Sequence, residues 1–268
     1  MSEHTTDTPG PGKHGRPDPA YVRHARHARH GRLRVAITGG TSGLGLALVS
    51  ALWERGADVA FIARNAPSVD AVARAHPGVH GIVGDVAGKD DIHRLALQVA
   101  GNLGGLDVLV NNASSLGPVP LALLADTECE EFERALATNV LGPFRLTRAL
   151  LGALAATARE RGTALVLNIS SDAAVNAYPQ WGAYGASKAA LHHMSRIWDE
   201  ELVSEGVRVL SIDPGDMDTP LHAAAVPDAD PASLERPEAA AREIVEVITR
   251  VLTSARGTDA HEVREVRT

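Results

Sequence analysis

Residues 33–45 read Leu33-Arg34-Val35-Ala36-Ile37-Thr38-Gly39-Gly40-Thr41-Ser42-Gly43-Leu44-Gly45, and an apolar helical pattern continues to Arg55. The aliphatic, β-branched run Leu33–Thr38 has the length and composition of a buried strand. It feeds straight into glycines, which let the backbone turn tightly and approach a ligand with no side chain in the way. The helix that follows presents free N–H groups and the positive end of its dipole to that turn. A glycine-rich turn alone is an ordinary loop. Between a strand and a helix it is a phosphate cradle, so the stretch predicts the first βαβ unit of a nucleotide-binding sheet.

Working outward, further short aliphatic runs alternate with longer amphipathic segments. Strands are expected at Asp58–Ala63, Val79–Val83, Leu106–Asn111, Ala164–Ser170 and Val207–Asp213. Helical patterns fill Gly45–Arg55, Asp90–Gly101, Glu128–Arg161 with a break near Gly142-Pro143, and Tyr184–Glu205. Such alternation is the sequence form of an α/β, doubly wound Rossmann-type parallel sheet, here one catalytic domain over residues 32–268. Residues 1–31, rich in Pro, Gly, His and Arg, read as a disordered tail. The Pro-, Asp- and Ala-rich stretch 216–236 reads as a mobile flap and substrate lid.

Bulk composition excludes several classes. A net charge of -7 argues against a general nucleic-acid binder. The single cysteine, Cys129, rules out an internal disulfide or a cysteine zinc cluster, and its acidic helical surroundings predict a buried or inert thiol. No metal is expected. No apolar run reaches the roughly 20 residues of a membrane span, and no secretory apolar core appears near the start. A reducing cytoplasm is the expected compartment.

The spacing Gly39-x3-Gly43-x-Gly45 resembles the TGxxxGxG signature of the short-chain dehydrogenase/reductase family. Other pieces follow in that family's order from about residue 33 to 220. Asp85-Val86 after the third strand is similar to the family's adenine-contacting pair, and Asn111-Asn112-Ala113 to its NNAG segment, with Ser114 in place of the glycine. Asn139 resembles the family's helix asparagine, Ser171, Tyr184 and Lys188 its serine and YxxxK, and Asp213-Pro214-Gly215 with Thr219 its PG motif and cofactor-amide threonine. The resemblance implies a nicotinamide cofactor held by Gly39, Thr41, Ser42, Gly43, Leu44, Gly45, Asp85, Val86, Asn112, Ala113, Tyr184, Lys188, Pro214, Gly215 and Thr219. It also implies a small-molecule carbonyl or alcohol substrate and a homodimer or homotetramer. Asn139 would hold a water connecting Lys188 to solvent.

Two readings rest on the residues' own chemistry. The second strand ends Ala63-Arg64, where an acid would bond a ribose 2'-hydroxyl and repel a 2'-phosphate; alanine with a following arginine fork favours NADP over NAD. Tyr184 and Lys188, four apart on a helix, share one face. At an effective dielectric of about 20, an ammonium ~5 Å from a phenol is worth roughly 3 kcal/mol and lowers its pKa by about 2. Ser171 at a strand end can hydrogen-bond the substrate oxygen that Tyr184 protonates. The expected enzyme is an NADP-dependent ketone or aldehyde reductase. Its rivals are an NADP-sensing or scaffold protein without turnover, which has no need of this intact set, and a nucleotide-sugar epimerase, which carries a longer substrate domain. His192 and His193 lack companions for a metal or relay. His261–Val266 is the one candidate for a seventh strand.

Overall fold

A computed structural model of the chain describes residues 31–254. The expected tail up to residue 30 and the seventh-strand candidate His261–Val266 lie outside them. Strand β1 (Arg34–Thr38) leads into helix α1 (Gly43–Glu54), β2 (Asp58–Ala63) into α2 (Ala66–Ala75), and β3 (His80–Val83) into α3 (Ile92–Leu103). The second half runs β4 (Val108–Asn111), α4 (Cys129–Leu136), α5 (Gly142–Arg161), β5 (Ala164–Ile169), α6 (Gly182–Leu202), β6 (Val207–Ile212), α7 (Pro220–Ala225) and α8 (Pro237–Ser254). The six strands form one parallel sheet in the order β3-β2-β1-β4-β5-β6.

Period-two alternation builds both faces. Val35, Ile37, Val59, Phe61, Val108 and Val110 pack on one side with Leu48 and Leu52 of α1 and Ile244 and Ile248 of α8. Ala36, Ala60, Ile62 and Leu109 face the other side, against Leu95 and Val99 of α3 and Leu146, Leu150 and Leu154 of α5. Burying each such Val or Leu contributes about 1.5–3 kcal/mol, which is why strands covered on both sides are nearly continuous in apolar residues. The chain winds outward from β1 to β3 and then returns to place β4 on the opposite side of β1. That reversal opens a crevice at the carboxyl ends of β1 and β4, where doubly wound sheets bind ligands.

Three local features sharpen the expected outline. Helix α2, not among the helices predicted above, starts where the Asn65 side chain accepts from the Ser68 N–H at 2.9 Å and Pro67 falls in the first turn. The expected break before Gly142-Pro143 is a five-residue wide turn, Ala137–Leu141, joining α4 to α5. The stretch 216–236 is built rather than irregular. Its base is tied by Asp218 N–H to the Glu235 carbonyl (2.9 Å) and Glu235 N–H to the Asp216 carbonyl (3.1 Å), and α7 is capped by Thr219 Oγ1 accepting from His222 N–H at 3.2 Å.

Candidate active site

The carboxyl ends of the strands open into one cleft of about 1160 Å³. At its β1 end the glycine turn is shaped by close contacts. Gly39 has φ +73°, and a Cβ there would come within 3.0 Å of Ala113; one on Gly45 would run into the Gly39 carbonyl and within 2.5 Å of Asn112 Nδ2. Gly43, at φ +50°, faces Thr219, whose Cγ2 a Cβ would meet at 3.1 Å. Ser42 precedes α1 without capping it by its side chain. The first turn of α1 therefore keeps its donors for a ligand. Thr38 Oγ1 fixes the facing segment by accepting from the Asn112 and Ala113 N–H groups, both at 3.0 Å, while Asn112 Nδ2 donates to the Thr38 carbonyl at 2.9 Å.

At the other end, β5 delivers Ser171 and α6 delivers Tyr184 and Lys188. Lys188 is only 2% exposed; its Nζ donates to the Ile169 carbonyl at 2.7 Å and lies 5.4 Å from the centroid of the Tyr184 ring. Ser171 Oγ donates to Asp172 Oδ1 at 3.1 Å and accepts from the Ala173 N–H at 3.2 Å. Burial pushes the Tyr184 phenol up to about 12, with the Ser171 and Ser114 side chains pulling the other way and the Asp213 and Asp172 charges adding to the rise. Burial also brings Lys188 down to about 8, opposed by Asp213. The expected lowering of the phenol is thus corrected. Withdrawal from water is the largest influence on the phenol, so at neutral pH Tyr184 is protonated, the form that can donate.

Every residue expected to hold the cofactor, from Gly39 to Thr219 and including Arg64, lines this one cleft, as do Ser171, Tyr184 and Lys188. Asn139 does not: it is fully buried. Its Oδ1 accepts from the Ser115 N–H (2.8 Å) and Ser114 Oγ (3.3 Å), and its Nδ2 donates to the Ser115 carbonyl and Ser187 Oγ, both at 2.8 Å. All four hydrogen-bonding positions of the side chain are engaged by protein. The side chain thereby pins the 114–115 loop to α6. Ser114, Ser115 and Ser187 were missed as site residues because a serine carries no positional signal until its partner is known. Of the expected buried or inert thiol, burial is corrected: Cys129 is exposed because it opens α4 with its side chain outside the core. His192 and His193 take no part in the cleft, and among the described residues no cluster of metal-binding side chains exists.

A family model described as short chain dehydrogenase matches residues 34–230. The chain belongs to the short-chain dehydrogenase family. It is therefore an oxidoreductase of that family. A 2-(R)-hydroxypropyl-CoM dehydrogenase of Xanthobacter autotrophicus is 32% identical over 194 residues, covering 70% of this chain and 76% of that one. Among solved structures, a short-chain dehydrogenase of Streptomyces avermitilis superposes with a TM-score of 0.70 at 31% identity, covering 81% of this chain and 84% of that one. An alcohol dehydrogenase of Thermococcus sibiricus, complexed with 5-hydroxy-NADP, does so with a TM-score of 0.71 at 25% identity, covering 81% and 91%. No helix among the described residues of this family member is long and apolar enough to cross a membrane.

Proposed function

We propose that the chain is an NADP-dependent reductase of ketones or aldehydes, with Tyr184 as proton donor. The observation that carries the reading is one cleft with the glycine turn and Arg64 at one end and Ser171, Tyr184 and Lys188 at the other. The turn fits a dinucleotide pyrophosphate, since Gly39 and Gly45 let the turn pack closely against the 112–113 segment while the first-turn N–H groups of α1 stay free of a side-chain cap. Arg64 has no ion-pair or hydrogen-bond partner among the described residues, and no acid stands at Ala63. A ribose 2'-phosphate would complete that arginine.

When bound, the nicotinamide supplies the hydride for the carbonyl carbon. The protein supplies everything else. Ser171 can shift its hydrogen bond from Asp172 to the carbonyl oxygen and so orient it. As the C=O double bond opens, Tyr184 gives its proton to that oxygen, and the nearby Lys188 ammonium stabilises the phenolate left behind. A phenol with a pKa of about 12 stays protonated at neutral pH, which favours reduction as the working direction. A cytoplasmic homodimer or homotetramer fits this reading.

The test is NADPH oxidation against a panel of ketones and aldehydes, repeated with Tyr184→Phe. The substitution keeps the ring against Trp181, 5.6 Å away, and removes the proton. Turnover should fall at least about 100-fold with little change in NADPH affinity. Near-normal turnover by the variant would sink the assignment; tight NADPH binding with no carbonyl reduced would favour a sensor.

A further inference from the structure

The substrate end of the cleft carries a charge pattern that the chemistry of hydride transfer does not require. Three carboxylates, Asp172, Asp213 and Asp216, line it beside Ser171 and Tyr184. They are close enough to act on one another: burial raises the pKa of Asp213, and the charges of Asp172 and Asp216 raise it further. Their partners are almost all neutral. Asp172 Oδ2 accepts from the Tyr178 hydroxyl at 2.7 Å, Asp213 Oδ1 from the Gly215 N–H at 2.9 Å, and the approach of cationic character nearest to hand is His222 Nε2, 3.9 Å from Asp216 Oδ1. Lys188 offsets at most one of the three charges. Glu131 and Arg134, which also line the cleft, sit three apart on α4 and add no net charge.

Two further observations point to what such a wall would bind. Ser170 is 5% exposed, lines the same cleft, and its buried Oγ has no hydrogen-bond partner. An unpaired buried hydroxyl is costly and accepts readily from a ligand N–H. Two aromatic rings line the same cleft: Tyr178, which is 45% exposed while its hydroxyl is held by Asp172, and Trp181, packed edge-on against Tyr184. Carboxylates flanked by aromatic faces recognise ammonium groups by charge and by attraction to the ring. The same wall repels a carboxylate or phosphate placed near the carbonyl.

We propose that this cleft selects carbonyl compounds bearing a protonated amine, recognised by Asp172, Asp213 and Asp216 together with the Tyr178 and Trp181 rings and Ser170. The inference rests on the carbonyl-reduction reading and names its substrate class. Its test uses three ketones of matched size, an aminomethyl-, an ethyl- and a carboxy-substituted acetophenone, titrated into the full chain saturated with oxidised NADP, which has no hydride to give them. The aminomethyl ketone should bind about 10- to 100-fold tighter than the ethyl ketone, with the carboxylate weakest. About 0.5 M salt should erode that preference, and so should Asp172→Asn combined with Asp216→Asn, a change of charge without change of shape at two exposed positions. Equal affinities, or tightest binding of the carboxylate, overturn the inference. Turnover is read separately. Reduction of the ethyl ketone with no ammonium preference removes the inference and leaves the reductase standing, whereas selective binding of the ammonium ketone with none of the three reduced upholds the recognition and counts against the reductase.

Discussion

Replacing Lys188 by Met should stabilise the fold while abolishing turnover. The lysine is 2% exposed, and burial takes its pKa from 10.5 to about 8 with only Asp213 opposing. At neutral pH the folded protein therefore holds a charge that would be better solvated in water. The fall from 10.5 to about 8 corresponds, at about 1.4 kcal/mol per tenfold, to about 3 kcal/mol. Methionine keeps the reach and most of the volume of the stem but carries no charge. Against the gain stand the Ile169 carbonyl, deprived of its 2.7 Å donor at a cost of about 1 kcal/mol, and the lost attraction to the Tyr184 ring, of about 0.5–1 kcal/mol. A net gain of about 1–1.5 kcal/mol remains, which raises Tm by about 2–6 °C for a domain of this size. The folded pKa lies below the unfolded one, so between about 8 and 10.5 the unfolded chain keeps a proton that the folded chain has released. Wild-type stability therefore rises with pH across that window, and the advantage of Lys188→Met should shrink there. Scanning calorimetry of both proteins from about pH 7 to about pH 10 reads this directly. A variant that melts lower at neutral pH, or a Tm difference that stays constant across the window, would mean that the buried ammonium is no net cost to the fold.

Arg64→Ala should weaken NADPH binding by about 1–3 kcal/mol and leave NADH nearly unchanged, as titration of both cofactors would show; equal losses would mean that Arg64 does not read the 2'-phosphate. Asn139→Ala removes four hydrogen bonds of a fully buried side chain and should lower stability by about 2–4 kcal/mol in urea unfolding, with a larger loss in turnover than in NADPH affinity because the 114–115 loop beside Tyr184 is released. Unchanged stability would place the hold on that loop elsewhere.

Local chemistry wrote much of this protein into its sequence. The run from Leu33 to Gly45 fixes a strand, a tight turn and a helix start, because only glycine can occupy φ +73° at Gly39 without strain and only glycine fits against the Gly39 carbonyl at Gly45. Alternation such as Val35-Ala36-Ile37 assigns each strand residue to a face, and the four-residue spacing of Tyr184 and Lys188 puts both on one side of α6. These are short-range consequences of backbone period. Strand ends lie within two residues of their expected places, with Ser170 and Asp213, expected as last strand residues, falling just past the ends of β5 and β6 and lining the cleft.

What the tertiary structure decided was which distant groups meet and how much water they keep. Asn139 becomes a brace for Ser115 and Ser187 because α4, α5 and α6 bring together residues that lie 24 and 48 positions apart. Asp172, from the segment after β5, and Asp213 and Asp216, after β6, are unremarkable acids in the chain and become one negative wall when parallel strands end side by side. The sign of the Tyr184 shift followed the same rule. Sequence supplies the lysine four residues away, but the solvent that would have hydrated the phenolate is excluded by the packing of Tyr184 with Leu116, Ala173 and Trp181, and desolvation is a property of the folded surroundings that no local pattern encodes.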